Sequence, residues 1–436
     1  MSERERAGYP GDGEDVDLED YRQRARSWLA ANVERAATTS TVVGQRAGES
    51  EEDFAERSRV LQALLYDAGY AGITLPKEWG GQGLTTRHQQ VFDEEQFGYE
   101  RPGGFGGTFG PILGALLGHM NDEQRGEYLV PILRGALWCQ LMSEPGAGSD
   151  IGGITTRAER DGDEWVINGQ KVWTTAGHLS DYGICLTRTD WDVPKYSGLT
   201  MFIVPMDTPG VSPRPLRQIT GEAEFCETFL DDVRVPTRNV LGAPGGGWSV
   251  VQTWLTYEHG GVEEGDQSGR GVSGSKLAAS LVDGAYPDDL VALARARGLA
   301  DDPHVRDRLA RTFVADAVNG LVGRHLGIAM RDGRISGHAG SMVKVAAATA
   351  AQRATAAGVD LAGLGGVAWD PDDPHGDARA KAMLQTRSHS IAGGTNEVQR
   401  NNTGDRVLGL PREPAVDRGI PFREVRTNVV RPADQS

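Results

Sequence analysis

Cysteine is nearly absent: 436 positions hold only Cys139, Cys185 and Cys226. The number is odd, the spacing is wide and no Cys-x-x-Cys pair occurs, which excludes a disulfide framework and a cysteine-ligated zinc site. No metal is expected, and a reducing, cytoplasmic setting fits. Basic charge is also short. Against 61 acidic residues stand 45 Lys and Arg, a formal net charge of −16, so no nucleic acid and no anionic membrane surface is expected as a partner. No apolar run approaches membrane-spanning length, and Met1 to Asp17 is polar and acidic, a disordered lead-in rather than a signal peptide. A dinucleotide-binding fingerprint is not read at Gly103 to Gly110: that Gly-rich run lacks the G-x-G-x-x-G register and has no strand before it.

What is present is the composition of a soluble globular chain, 39% hydrophobic and 24% charged, long enough for two or three domains. Glu51 to Ala68 reads as a helix with Val60, Leu61, Leu64 and Ala68 on one face, Ser50 capping it and Gly69 ending it. Similar helices fill the region up to about Trp138, interrupted by the Gly-rich loop Ala71 to Leu84. After Asp150 the pattern alternates. Asp161-Gly162 and Asn168-Gly169 read as hairpin turns. The expected strands are Thr155 to Glu159, Glu164 to Ile167, Lys171 to Thr175, Tyr182 to Thr187, Leu199 to Pro205 and Phe225 to Val235, forming a small antiparallel barrel or sandwich. Trp248 to His259 opens a second helical block. Gly260 to Asp302 is weakly periodic, with short helices expected at Ser275 to Val282 and Leu290 to Ala296. Long helices over Val305 to Met330 and Ser341 to Leu361 indicate a bundle, and the tail beyond Pro414 is expected to wrap the surface or fray.

Three stretches carry chemistry. Leu141 to Asp150, Leu-Met-Ser-Glu-Pro-Gly-Ala-Gly-Ser-Asp, combines hydroxyls with a proline and two glycines, a run suited to presenting amides and hydroxyls to a polar ligand. The others are Ile167-Asn-Gly-Gln-Lys-Val-Trp-Thr-Thr-Ala-Gly177 and Ile391-Ala-Gly-Gly-Thr-Asn-Glu-Val-Gln-Arg-Asn401. With these in this order the chain resembles the acyl-CoA dehydrogenases, a flavoenzyme family, from Tyr21 to Arg412. The resemblance implies a mainly α fold with a central β-domain: lead-in 1–17, N-terminal helical domain 18–138, middle antiparallel β-barrel 139–244, C-terminal helical bundle 245–413 and tail 414–436.

It also implies FAD as cofactor and an acyl-CoA as substrate. By residue-wise match, Met142, Ser143, Trp173, Thr174 and Thr175 surround the flavin ring, Ser149 meets the pantetheine arm beside the cofactor, and Gly394, Thr395 and Asn396 contact FAD from the bundle. The implied reaction is α,β-dehydrogenation, in which a carboxylate takes the α-proton while the β-hydride leaves for flavin N5. In many members the base is a glutamate directly before the Gly-Thr pair. Here Gly393 stands there and keeps only a backbone N–H for the thioester carbonyl. A branch resembling the isovaleryl-CoA enzymes carries its base on the first long helix after the barrel, which places it at Glu258, followed by His259, with Glu263 and Glu264 as alternatives. The Arg-x-x-Phe-Gly element that meets the ADP half of FAD is absent, and only Arg295 or Arg297 lies near its place. A homo-oligomer, or a hetero-oligomer with a second family member, is implied, with an electron-transferring flavoprotein as acceptor. Two other readings remain: a non-catalytic, partner-dependent subunit, and a flavin monooxygenase on the same fold.

Overall fold

A computed structural model describes residues 16–36, 46, 49–258, 285–368, 376–412 and 414–426. They divide into two compact units, the first comprising 1–217, 223–254 and 415–436, the second 218–222 and 255–414.

In the first unit, helices begin where a side chain can accept the orphan amides of a first turn. Asp17 Oδ1 accepts from the amides of Glu19 and Asp20 at the start of α1 (Leu18–Asn32), and Ser50 caps α2 (Glu51–Asp67) as its sequence predicts. The apolar face of α2 is turned from the one expected. Leu61 and Leu65 are buried, whereas Val60 and Leu64 are exposed, because the burying partners are α1 residues Tyr21, Ala25 and Leu29 with Ile73 and Phe92. Helices α3 (Thr86–Glu95), α4 (Leu113–His119) and α5 (Asp122–Leu133) complete this layer.

The β-domain is a mixed eight-stranded sheet that is not closed into a barrel. Its strands are β1 (Trp138–Leu141), β2 (Arg157–Asp161), β3 (Glu164–Thr175), β4 (Tyr182–Arg188), β5 (Leu199–Pro205), β6 (Val211–Leu216), β7 (Phe225–Pro236) and β8 (Val240–Leu241). They run in the order β6-β7-β3-β2-β4-β5-β8, with β1 added parallel to β4 and β2 touching β4 in parallel at Arg157 and Arg188. The expectation of an antiparallel barrel is thus corrected on both counts. Asp161 pairs with Glu164 across a two-residue loop, the expected hairpin. The second expected hairpin does not form: β3 runs straight through Asn168-Gly169 with a register shift there. Gly169 is required for close approach, since a β-carbon on it would lie 2.4 Å from Thr156 Oγ1. Strand β6 escaped the sequence reading because Pro213 and Pro215 interrupt it. It lies at the end of the strand order, where missing N–H donors are tolerated.

Helix α6 (Gly247–Glu258) follows the sheet, and the second unit contains α7 (Ala285–Ala296), α8 (Pro303–Arg331), α9 (Gly340–Ala362), α10 (Gly376–Gln385) and α11 (Asn396–Asn402). Helix α9 is alanine-rich and buries Ala347, Ala351, Ala354 and Gly358, small residues that let neighbouring helices come close. Leu290 of α7 packs with Ala357 and Leu361 of α9, and Leu309 of α8 lies against them. Residues His259, Glu263, Glu264 and the expected helix Ser275 to Val282 lie outside the described residues.

Candidate functional site

The structure assembles the motif residues as two groups, one in each unit. In the first, β1 delivers Leu141 and Met142 to the sheet interior, both buried. The chain then turns sharply, because Glu144 and Ala147 exchange backbone hydrogen bonds, each 3.0 Å. The Ser143 carbonyl accepts from the Val172 amide at 2.9 Å, which ties the first motif to β3 of the second. Beneath this junction lies a buried ion pair. Lys171, with 0% of its surface exposed, donates through Nζ to the Met142 carbonyl and to Glu144 Oε1, each at 3.0 Å. Glu144 also accepts from the amides of Thr155 (2.7 Å) and Thr156 (2.8 Å) and from the Thr155 hydroxyl (3.0 Å). Burial alone raises a carboxyl pKa. Here the Lys171 charge and these donors outweigh it and hold Glu144 below the ordinary carboxylate range.

Above the pair, β3 ends in an irregular stretch. Its register slips between Val172 and Thr174, and two non-glycine residues, Trp173 (φ 65°) and Ala176 (φ 53°), adopt left-handed backbone. For a residue as large as tryptophan this conformation is costly and is concentrated at functional positions. The slip turns the Trp173 side chain outward, 58% exposed, edge-on against Phe225 with ring centroids 6.0 Å apart. Thr175 is exposed, and Ser143 is half-buried. Thr174 points the other way: its hydroxyl is buried without a hydrogen-bond partner, so any ligand contact it makes runs through its backbone. Ser149 is exposed at the end of the first motif.

The second group surrounds the turn before α11. Gly393 (φ 65°) and Gly394 (φ 84°) form a left-handed pair that only glycine adopts without strain. Both carbonyls are held: Gln399 Nε2 donates to Gly393 O and Lys344 Nζ to Gly394 O, each at 2.6 Å. Thr395 caps α11 by accepting the Val398 amide at 3.2 Å. Asn396 accepts from Lys344 at 3.2 Å and donates to Ser390 Oγ at 3.1 Å. Burial lowers the Lys344 pKa to about 8. Glu258, the last residue of α6, approaches the same turn. A β-carbon built on Gly393 lies 3.7 Å from Glu258 Oε1. Arg295 and Arg297 are exposed at the end of α7 and beyond it.

Lys171, Glu144, Lys344 and Gln399 hold these groups in place, yet the sequence reading assigned none of them a role. Lys171 was legible as a lone charge inside an alternating strand, and Glu144 as the one acid in a turn of small residues. Among the described residues no cluster suits a metal ion, and no helix is long and apolar enough to cross a membrane.

Three family models match the chain: the acyl-CoA dehydrogenase N-terminal domain over residues 17–136, the middle domain over 139–233 and the C-terminal domain over 288–408. Acyl-CoA dehydrogenase IpdE1 of Mycobacterium tuberculosis is 38% identical over 401 residues, covering 91% of this chain and 99% of that protein. Among solved structures, one titled "Tcur3481-Tcur3483 steroid ACAD" is 29% identical with a TM-score of 0.70, covering 92% of this chain and 99% of that one. The ChsE4-ChsE5 complex from Mycobacterium tuberculosis is 26% identical with a TM-score of 0.65, covering 92% and 100%. Motifs, fold and relatives agree: the chain belongs to the acyl-CoA dehydrogenase family, oxidoreductases that act on CH–CH bonds.

Proposed function

We propose that the chain is an FAD-dependent dehydrogenase of an acyl-CoA thioester, with Glu258 as the base that removes the α-proton. The observation that carries this is the approach of Glu258 Oε1 to within 3.7 Å of the place where a Gly393 side chain would begin. A carboxylate from the neighbouring helix thus reaches the point that Gly393 leaves empty. The first group suits a flat cofactor with a polar edge. Exposed Trp173 and buried Met142 offer an apolar wall, and the hydroxyls of Ser143 and Thr175 offer hydrogen bonds. Bound FAD supplies the acceptor for the β-hydride. Gly394, Thr395 and Asn396 contact the cofactor from their turn, the Gly393 amide polarises the thioester carbonyl, and Ser149 meets the pantetheine arm. With that carbonyl polarised, the α-carbon is acidic enough for Glu258 to deprotonate. Replacing Glu258 with Gln is expected to leave flavin bound and to slow anaerobic flavin bleaching by acyl-CoA at least about a hundredfold. Undiminished bleaching would move the base to Glu263 or Glu264. Failure of every acyl-CoA to bleach the unsubstituted protein would reopen the monooxygenase reading, for which oxygen uptake with supplied reduced flavin is the separate assay.

The partner-dependent reading has its own support. Helix α8 exposes Phe313, Val314, Val318, Leu321, Val322 and Ile328, an apolar stripe that suits a second chain. Two solved relatives carry paired names, Tcur3481-Tcur3483 and ChsE4-ChsE5. We read the chain as one half of such an assembly and its acceptor as an electron-transferring flavoprotein. The word steroid in one relative's title favours a bulky, polycyclic acyl group. A panel of straight-chain, branched and steroid-derived CoA thioesters, scored by flavin bleaching, tests that choice.

A further inference from the structure

The family match ends at residue 408, yet the chain continues, and its last described stretch returns to the β-domain of the first unit. Pro421 bridges Pro194 in antiparallel fashion. The amides of Phe422 and Arg423 donate to the carbonyls of Val193 (2.9 Å) and Trp191 (3.0 Å). Phe422 is fully buried, its ring centroid 3.4 Å from the Arg188 guanidinium carbon. Arg188 is itself fully buried and donates to the carbonyls of Gly152 (2.7 Å), Ile154 (3.2 Å) and Lys195 (3.0 Å). Lys195 in turn spans two carboxylates, reaching Asp417 Oδ2 at 2.6 Å and Asp150 Oδ1 at 3.0 Å. Asp150 directly follows Ser149. The segment therefore grips the chain after the first motif twice, through Phe422 and Arg188 at Gly152 to Ile154, and through Asp417 and Lys195 at Asp150.

We infer that Ala415 to Val425 is a strap that fixes the Gly146 to Ile154 loop and so sets the enzyme's grip on the thioester's pantetheine arm, with Lys195 and Asp417 as positioning residues. The geometry stands without assuming a reaction; the consequence for substrate rests on the function proposed above. A lysine clamped by two carboxylates, with its own side chain 13% exposed, makes charge-assisted hydrogen bonds stronger than those of a lone surface pair. Its burial opposes the Lys195 charge, but the Asp417 and Asp150 carboxylates outweigh that and hold the ammonium protonated. Loss of one carboxylate is a local change, whereas deleting the buried Phe422 threatens the fold.

The test uses the full chain and three variants, Asp417→Asn, Lys195→Met and the conservative Asp417→Glu. Amide hydrogen exchange across Gly146 to Ile154 is expected to accelerate about tenfold in the first two, the effect of losing one charge-assisted hydrogen bond. KM for the acyl-CoA that bleaches the flavin is expected to rise by a similar factor with kcat within about twofold, and Asp417→Glu is expected to restore both. Unchanged exchange in Asp417→Asn and Lys195→Met overturns the strap. Faster exchange with unchanged KM overturns its link to substrate, and loss of flavin together with kcat would mark general damage and overturn the positioning role. If no thioester bleaches the unsubstituted protein, the proposed function fails, while the exchange measurement still decides the strap.

Discussion

A single buried charge shows how much the turn after β1 depends on one residue. Lys171→Met leaves Glu144 ionised and enclosed without its counter-charge, and removing one partner of a buried pair costs about 3–5 kcal/mol. Adding Glu144→Leu is expected to recover only part of this, because the Thr155 and Thr156 amides that Glu144 now satisfies would be left unpaired. Urea unfolding of the single and double variants checks both statements. Trp173→Gly separates ligand binding from folding. Relief of left-handed backbone gains about 1–2 kcal/mol, while losing the Phe225 ring contact costs about 0.5–1.5 and glycine's greater freedom about 0.5–1. Stability is expected to move by no more than about 1.5 kcal/mol while flavin retention on dialysis falls sharply; unchanged retention would remove Trp173 from the cofactor wall. At this scale the sequence names candidates through its motifs, Trp173 and Glu258 among them. It was opaque where three dimensions decide: nothing in the alternation of β3 reveals that a register slip turns Trp173 outward and Thr174 inward.

Elements were easier to read than their pairing. The long helices α8 and α9 and most strands lie where periodicity and turn residues place them, because local spacing dictates them. The continuous β3 and the open, mixed sheet were not legible, since a hairpin signal at Asn168-Gly169 is overridden by the close passage of Gly169 against Thr156. Helix α8 adds a prediction of its own. Val314, Val318, Leu321 and Ile328 recur at steps of three, four and seven, which places them along one side of the helix. They are exposed in the single chain, and a side chain of this size gains roughly 1.5–3 kcal/mol when fully buried. Val318→Asp with Leu321→Asp is expected to leave far-UV circular dichroism unchanged, as neither residue supports the core, and to convert the assembly seen by light scattering with its partner into single chains. An unchanged mass would place the interface elsewhere.

For the molecule as a whole, domain order was legible because the period changes from helical to alternating and back to helical, the order in which the N-terminal, middle and C-terminal family models match, whereas the return of the tail to the sheet is a long-range contact that no local pattern announces. Both compact units hold groups with shifted pKa values. In the second unit, burial, with the nearby Lys344 charge, lowers the His389 pKa from 6.5 to about 4. Between those values the unfolded chain binds the proton and the folded one does not, so stability falls as pH drops from 6.5 and the loss is complete near 4. In the first unit burial likewise lowers the His119 pKa, and several carboxylates are lowered by their partners. The Arg57 hydrogen bond holds Glu49 at about 2 instead of 4.5, and Arg26 and Lys195 likewise lower Glu95 and Asp417. Their contribution is whole above about 4.5 and is lost only as pH falls through the lowered values. Acidification from pH 6.5 is therefore expected to weaken the second unit through His389 before the carboxylates of the first are lost. Hydrogen exchange, corrected for its intrinsic pH dependence, should show the opening free energy of α9 falling between pH 6.5 and 4.5. His389→Gln should flatten the α9 response and leave β3 unaltered. A decline of α9 from pH 6.5 that persists in His389→Gln would mean that His389 does not set its onset.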